Sequence, residues 1–282
     1  MKKIQLGTQV IIVAFLFLIL LQSCFSFRAT DKVKVDAFKN KGILLQPFFY
    51  TTKNKSLHYV QVGADTLPTI VFVHGSPGSW TEFEAYLKDS QLMHNYRLIS
   101  IDRPGFGYSD YRNAVNLQNQ ANQIGEVLLH LQNKKPLYLV GHSLGGPLVA
   151  LLAADYSYLI SSIVIMAGAL SPQLEPKEKW RKLFLKAPFK KVLPGAFRQS
   201  NVELCFLKTD LVTLKDKLNQ IVCPVYIMHA KNDMLVDVKN VDYMQQNFTA
   251  ATVYTYIYNK GNHFIHFNKH KELVAILMTL LH

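Results

Sequence analysis

The sequence predicts an α/β fold: a mostly parallel central sheet flanked by helices, with a small helical cap. Strand-like apolar runs alternate with helical patterns from about residue 46 to the end of the chain. Several runs are continuously apolar, as expected for parallel strands covered on both faces. Such alternation implies βαβ units with right-handed crossovers. Residues 170–220 separate two of the runs by more than an ordinary connection, and this insertion predicts the cap.

The individual elements follow from periodicity. The strand-like runs are residues 48–52, 57–62, 69–73, 97–101, 137–140, 160–167, 225–230 and 252–258. The helical patterns lie near residues 80–92, 116–133, 147–157, 238–248 and 265–281. No helical pattern separates the first two strands, so we expect them to form an antiparallel hairpin at one edge of the sheet.

Composition limits the class of protein. The chain has 282 residues, of which 49% are hydrophobic and 18% charged, and it carries a net charge of +12. These values predict one large hydrophobic core and exclude a mainly disordered chain. There is no metal-type cluster of Cys and His, so we expect neither a metal nor a cofactor. There is no nucleic-acid-binding motif either, and oligomeric state leaves no signal in the sequence.

The N-terminal residues have the pattern of a targeting segment. Lys2 and Lys3 precede an apolar run over residues 10–21, which is shorter than the ~20 residues a membrane span needs. The run ends in Leu21-Gln22-Ser23-Cys24, which resembles the lipobox of bacterial lipoproteins. An uncleaved signal anchor and ordinary secretion with a chance cysteine are the alternatives.

This resemblance implies a processed and anchored protein. Residues 1–23 would be a signal peptide, and Cys24 would become the new N-terminus and carry the lipid. Residues 24–45 would be a polar, Lys-rich tether, and residues 46–282 the folded domain. The expected location is the cell envelope, on the extracytoplasmic side of a bacterial membrane.

The strongest local motif is Gly141-His142-Ser143-Leu144-Gly145, between a predicted strand and a predicted helix. This is the Gly-x-Ser-x-Gly nucleophile elbow in its required context. A serine on so sharp a turn has a strained backbone, and glycines two residues away on each side remove the collision of side chains. The helix that follows directs free N–H groups toward a developing anion. We therefore predict Ser143 as the nucleophile.

A second motif, His74-Gly75-Ser76-Pro77-Gly78, follows the strand at 69–73. It resembles the oxyanion loop of the α/β-hydrolase superfamily. The resemblance implies that the backbone N–H groups of Ser76 and Leu144 hold the oxyanion, and that His74 braces the loop. The stretch 102–109 likewise matches a shaped turn of that superfamily, in which Asp102 is expected to cap the local backbone.

The acid and the histidine must follow the serine in that order. Asp233, shortly after the strand at 225–230, stands where the superfamily places its acid, and Asp237 is the alternative, expected to cap the next helix. His263 follows the last strand in a Gly-x-His-Phe ending. His266 is its alternative and is expected on a helix surface. The predicted triad is Ser143, Asp233 and His263.

The resemblance to the α/β-hydrolase superfamily covers residues 45–282 with four motifs in order. It implies a serine hydrolase that cleaves a carboxylic ester or a related small acyl substrate through an acyl-enzyme. Aminopeptidase, thioesterase, C–C bond hydrolase and haloperoxidase-like chemistry use the same constellation, and a non-catalytic binding module is a further alternative. The serine argues against the dehalogenase and epoxide-hydrolase branches, which use aspartate. The sequence departs from the family at two positions: Ala230 stands where the family usually has a glycine, and Asp237 stands where it usually has a proline.

The cap carries an apolar stripe at helical spacing, formed by Trp180, Leu183, Phe184 and Ala187, and it is rich in lysine. In one interpretation, the lid covers the site with this stripe while its lysines are solvated. In the other, a basic lid lies on an anionic membrane or recognises an anionic acyl substrate.

Overall fold

The computed structural model describes residues 25–28, 30–52, 55–110 and 113–281. Within them, eight strands form one sheet in the order β1-β2-β4-β3-β5-β6-β7-β8. Strands β3 to β8 are mutually parallel, and β2 pairs antiparallel with both β1 and β4. This is the α/β-hydrolase fold, and the edge hairpin expected at the start of the domain is confirmed.

The strands agree closely with the apolar runs of the sequence. In chain order they are β1 (Gln46–Thr52), β2 (Lys55–Val62), β3 (Thr69–Val73), β4 (Arg97–Ile101), β5 (Leu137–His142), β6 (Ser162–Met166), β7 (Val225–Ala230) and β8 (Val253–Tyr258). Strands β3 to β6 are buried along their whole length. Because both faces of such strands are covered, their sequences are continuous apolar runs, and these runs predicted them.

The helices lie on both faces of the sheet. They are α1 (Asp31–Lys39), α2 (Glu84–Leu87), α3 (Ser90–Asn95), α4 (Leu117–Leu131), α5 (Gly145–Asp155), α6 (Gly195–Leu218), α7 (Asn240–Asn247), α8 (Ile265–Asn268) and α9 (His270–Thr279). Short 3₁₀ helices occur at Trp80–Phe83, Lys179–Leu185 and Phe189–Lys191. One core cluster packs α4, α5 and α6 against the sheet, and a second packs the 3₁₀ turn at Trp80–Phe83, α2 and α9 against its other face.

The order of the strands places a crevice at the carboxyl edge of the sheet. The chain leaves β3 for β4 on one side and returns to β5 on the other side of β3. Ligands bind at such a switch point in open α/β sheets, outside the carboxyl ends of the strands. The loop after β3 and the turn after β5 therefore face each other at this point.

The N-terminal segment of the domain differs from the tether that we expected. Residues 31–39 form α1, and Phe38 on this helix is completely buried, as is nearly all of Leu45. Burial of these two apolar side chains holds the segment on the domain. The expected signal peptide and Cys24 lie outside the described residues. In the part of the chain that is described, none of the helices is both long and apolar enough for a transmembrane span.

The cap between β6 and β7 consists of α6 and the two 3₁₀ helices before it. Its predicted apolar stripe does not form one side of an α-helix, because Lys179–Leu185 adopts the tighter 3₁₀ geometry. Trp180 and Leu183 face outward and are about half exposed, at 51% and 50%. The lid with its apolar stripe turned inward is therefore not what the structure contains.

Candidate active site

Ser143 lies on the sharp turn between β5 and α5. Its φ is 53°, in the left-handed region that non-glycine residues rarely occupy. The turn needs glycine on both sides: a Cβ at Gly141 would lie 2.3 Å from Gly145 O, and one at Gly145 would lie 2.3 Å from Val73 O. The Ser143 amide donates to Met166 O at 2.9 Å and ties the turn to the next strand.

The loop after β3 lies directly against this turn. A Cβ added to Gly75 would lie 3.1 Å from Ser143 Cβ, so the absence of a side chain at Gly75 allows the two backbones to approach. The hydrogen bonds of the described residues include no acceptor for the backbone N–H of Ser76 or Leu144. This is compatible with the oxyanion role expected of the two amides.

Asp233 and His263 are brought together from the loops after β7 and β8. His263 Nδ1 lies 2.9 Å from Asp233 Oδ2, and the Asp233 side chain is fully buried. Burial alone would raise the pKa of Asp233, but hydrogen bonds from His229, His263 and the Val236 amide hold it well below its ordinary value. Asp233 is thus a fixed carboxylate that faces the imidazole.

Ser143 and His263 are connected through the residue that precedes the serine. Among the bonds of the described residues, none joins Ser143 Oγ to the His263 ring. The link runs through His142, whose Nε2 lies 2.9 Å from His263 O and whose ring centroid lies 4.9 Å from that of His263. Without bound substrate, contacts between nucleophile and base are often longer than a hydrogen bond.

Asp237 and His266 were the alternatives for the acid and the histidine of the triad, and the structure places both away from these roles. Asp237 Oδ1 accepts from the Lys239 amide at 2.9 Å in the turn before α7, but Lys239 is the N-cap of that helix, so the capping role expected for Asp237 was wrong. His266 is not on a helix surface, and that expectation was wrong. It is almost completely buried, because the four-residue helix α8 turns its ring inward against His142, 4.1 Å away between centroids.

A buried ion pair lies behind the elbow and was not predicted. His142 Nδ1 lies 2.7 Å from Glu82 Oε1, and Glu82 Oε2 accepts from the Gly75 amide at 3.1 Å. Both ring nitrogens of His142 face acceptors, and this favours the imidazolium form, in which both nitrogens can donate. Burial opposes the charge on each group, yet the pair raises the pKa of His142 and lowers that of Glu82 to about 2.

The same cluster could be considered as a metal site. Ligand atoms of Glu82, His142 and His266 lie within 4.8 Å of one another. A metal ion would have to replace the short hydrogen bond between Glu82 and His142, and it would need a deprotonated His142 nitrogen. Burial and the adjacent His142 lower the pKa of His266 to about 3, so its neutral ring packs against the imidazolium. The donor set fits an ion pair better than a metal.

A second buried pair joins the cap to the loop after β3. Arg103 Nη1 and Nη2 lie 2.7 and 3.0 Å from the two carboxylate oxygens of Glu203 on α6. The same guanidinium donates to the carbonyl oxygens of His74 and Gly75 at 2.9 and 2.8 Å. Ser76 Oγ also donates to Ser200 Oγ on α6 at 2.8 Å. Cap and oxyanion loop are therefore one connected network.

His74 and Asp102 have the structural roles that the sequence indicated. His74 Nε2 accepts from the Arg103 amide at 3.0 Å, and burial lowers the pKa of His74 to about 4. Asp102 is completely buried and accepts from the amides of Trp80 and Tyr108 at 2.8 and 2.9 Å. The partners of both side chains lie in the loops around the site, so both groups support these loops.

Comparison with known proteins agrees with this architecture. Among curated relatives, the chain is 30% identical over 115 residues to epoxide hydrolase 1 of Caenorhabditis elegans, covering 40% of this chain and 28% of that protein. It is 31% identical over 104 residues to the sn-1-specific diacylglycerol lipase ABHD11 of Mus musculus, covering 37% and 34%. The match thus spans about a third or less of each of these relatives.

A solved structure extends the likeness to the whole chain. The crystal structure of a membrane phospholipase A, described as a bacterial virulence factor, superposes with a TM-score of 0.64 at 19% identity, covering 100% of this chain and 98% of that one. This likeness concerns the fold. The family model for the alpha/beta hydrolase fold matches residues 68–221, more than half of the chain. The chain therefore belongs to the α/β-hydrolase fold family.

Proposed function

We propose that this protein is a serine hydrolase that cleaves a carboxylic ester or a related acyl substrate, with Ser143, His263 and Asp233 as its triad. One observation carries the proposal. The 2.9 Å contact between His263 Nδ1 and Asp233 Oδ2 lies at the same edge of the sheet as the left-handed turn that presents Ser143. This arrangement supports the roles of nucleophile, base and base-orienting group for Ser143, His263 and Asp233.

The protonation states suit a general base. Asp233 is a carboxylate and only accepts, so His263 Nδ1 must carry the proton of the shared bond. In the neutral ring, Nε2 then has a lone pair available to the Ser143 hydroxyl. Asp233 selects this tautomer and stabilises the imidazolium formed later.

The reaction proceeds in two balanced halves. Ser143 Oγ attacks the carbonyl carbon while its proton passes to His263 Nε2, and the carbonyl oxygen becomes an anion held by the Ser76 and Leu144 amides. The leaving group departs with the proton from His263, which leaves an acyl ester on Ser143. Water then attacks this ester while its proton passes to His263, the bond from the acyl carbon to Ser143 Oγ breaks as that oxygen takes the proton back from His263, and the acid is released.

The identity of the nucleophile supports an acyl substrate over an epoxide. A serine that opened an epoxide would form an ether, and water does not hydrolyse an ether readily. A carboxylate nucleophile would instead form an ester, which water can cleave. With Ser143 on the elbow, turnover through a covalent intermediate requires a carbonyl substrate such as an ester.

The proposal includes a location. The Leu21-Gln22-Ser23-Cys24 stretch after the apolar run supports cleavage before Cys24 and attachment of lipid to that cysteine. The enzyme would then be anchored on the extracytoplasmic side of a bacterial membrane. This part of the proposal is independent of the triad.

Activity-based labelling tests the catalytic proposal. A fluorophosphonate probe should label the wild-type protein, and Ser143→Ala should abolish both labelling and ester hydrolysis while leaving the fold intact. Ser90→Ala is the matched control, since Ser90 is exposed on α3, near the opposite edge of the sheet, and should label as wild type. Labelling that persists in Ser143→Ala would disprove the assignment.

A further inference from the structure

The part of the cap that precedes α6 exposes an unusual amount of apolar surface. We call residues 177–190 together with Val192 the cap face. It presents Trp180, Leu183, Leu185, Phe189 and Val192, and Val192 is 58% exposed. The rings of Trp180, Phe184 and Phe189 form a chain with centroid separations of 5.9 and 6.3 Å, so the two exposed aromatic residues belong to one cluster. Monomeric soluble proteins seldom expose a large continuous apolar patch without a partner for it.

The same stretch of chain carries an excess of positive charge. Five lysines of the cap face have exposed side chains, and they are Lys177, Lys179, Lys182, Lys186 and Lys190. Glu178 is the one acidic residue in the stretch, and its carboxylate pairs with Arg181 of the same turn. The combination of exposed aromatic and aliphatic side chains with lysines is complementary to an anionic lipid surface.

A second group of exposed apolar side chains lies beside the active site. Met234 and Leu235 directly follow Asp233, and Phe264 directly follows His263, with Met234 95% exposed. These loops leave the carboxyl ends of β7 and β8, and the cap leaves the carboxyl end of β6. Because β6, β7 and β8 are parallel, the cap face and these loops lie at the same edge of the sheet.

The start of the described chain lies at this edge as well. Phe25 O accepts from the Ala196 amide at 2.8 Å, at the first turn of α6. The rings of Phe25 and Phe27 contact Phe197 at 5.6 and 6.1 Å, and Arg28 Nε donates to Gly107 O at 2.6 Å in the loop after β4. The described chain therefore begins directly beside the cap.

We propose that the cap face, together with the loops after β7 and β8, docks on an anionic phospholipid bilayer. Trp180, Leu183 and Phe189 lie at the level of the head groups, and the lysines contact anionic phosphates. The active-site crevice then opens toward the lipid. Docking by this surface depends neither on the reaction catalysed nor on whether residues preceding Phe25 carry a lipid or an uncleaved anchor.

Tryptophan fluorescence in vesicles tests the orientation. The chain has two tryptophans: Trp80 is buried in the core, and Trp180 lies in the cap face. Full-length protein is reconstituted in phosphatidylcholine vesicles with or without phosphatidylglycerol, using lipids brominated on the acyl chains. We expect bromine to reduce Trp180 emission about twofold when phosphatidylglycerol is present. The Trp180→Phe variant should retain only unquenched Trp80 emission.

Two matched variants separate docking from mere attachment. Val222 is 65% exposed and lies just before β7, at the opposite edge of the sheet. In the Trp180→Phe background, Val222→Trp should emit without quenching, although the chain is attached to the same vesicle. Replacement of Lys179, Lys182 and Lys186 by glutamate should remove the quenching of Trp180 in phosphatidylglycerol vesicles without changing circular dichroism.

Three outcomes would overturn the proposal. One is Trp180 emission that bromine does not reduce in phosphatidylglycerol vesicles. Another is equal quenching at positions 180 and 222, which would mean that the domain has no preferred orientation. The third is a Trp180 emission that shifts with protein concentration, together with chemical cross-linking of the cap to a second copy of the chain. A second copy would then cover this face.

Discussion

Glu82 and His142 form a buried ion pair directly behind the proposed nucleophile. His142 precedes Ser143 in the chain, its Nδ1 lies 2.7 Å from Glu82 Oε1, and its Nε2 lies 2.9 Å from His263 O. Glu82 also accepts from the Gly75 amide at 3.1 Å. One charged pair thus connects the elbow, the oxyanion loop and the loop that carries His263.

Glu82→Gln should therefore weaken both stability and turnover. Loss of a charge-assisted hydrogen bond in a buried site costs about 2 kcal/mol of unfolding free energy. We also expect about a tenfold fall in kcat, because both loops lose a common anchor. Glu84→Gln is the control: Glu84 pairs with Lys34 and Lys88 near the surface, where such a pair contributes about 1 kcal/mol or less. Equal effects of the two variants would contradict this role of Glu82.

The loss of stability in Glu82→Gln should depend on pH with a defined window. The pKa of Glu82 falls from 4.5 to about 2 on folding, so its contribution is complete above 4.5 and disappears as pH falls toward 2. The pKa of His142 rises above its ordinary 6.5, so its contribution is complete below 6.5 and is lost as pH rises through the raised value. Urea unfolding should show the largest difference from wild type between these limits, near pH 5 to 6. A difference that is constant from pH 3 to 9 would contradict the ion pair.

Substitution of Asp233 and of Asp237, which lie in the same loop, tests which of them is the acid of the triad. Asp233→Asn should lower kcat by ~10⁴, because an amide can donate to His263 and favour the wrong tautomer. Asp237→Asn should change kcat little, since Asp237 accepts from the Lys239 amide in the turn before α7 and has no hydrogen bond with His263 among the described residues. Steady-state ester hydrolysis measures both variants. A reversed order would identify Asp237 as the acid.

The Arg103–Glu203 pair should couple the cap to the oxyanion loop. Glu203→Gln leaves the fully buried Arg103 without its carboxylate, and breaking a buried pair in this way costs about 3 kcal/mol. Because Arg103 also holds the carbonyls of His74 and Gly75, kcat should fall as well. Urea unfolding and ester hydrolysis would measure the two effects.

Glu126→Gln, at an exposed position on α4, is the control and should leave stability and kcat unchanged. If Glu203→Gln lowers stability but leaves kcat as in wild type, the pair has no influence on the oxyanion loop.

Local signals account for what the sequence could predict. Strands β3, β4 and β7 have the predicted bounds, because buried parallel strands appear as apolar runs that end at polar turns. The glycines at 141 and 145 mark a turn that only small residues permit, so the position of Ser143 could be predicted from five residues. The loops that carry Asp233 and His263 could be located because each comes directly after a predicted strand.

The features that sequence reasoning missed depend on long-range contacts. Glu82 and His142 are 60 positions apart, and Arg103 and Glu203 are 100 apart, so no local pattern connects either pair. His266 was assigned to a surface because a short helix gives no period from which its inner side can be recognised. Burial decides which pairs of charged residues contribute to stability and to the site, and burial is known only from the fold.

The anchor can be tested at Cys24. If the lipobox functions, the mature chain begins at Cys24 with acyl chains attached, and two or more such chains hold a protein stably on a membrane. Cys24→Ser should block lipid attachment and leave an unprocessed precursor, whose apolar run at 10–21 still associates with membranes. Sedimentation cannot distinguish the two forms, so mass spectrometry of the N-terminal peptide is the decisive measurement. An intact Met1 on the wild-type protein would establish a signal anchor, and an unmodified terminus beyond Cys24 would establish ordinary secretion. Either result would remove the lipid anchor and leave the hydrolase assignment unchanged.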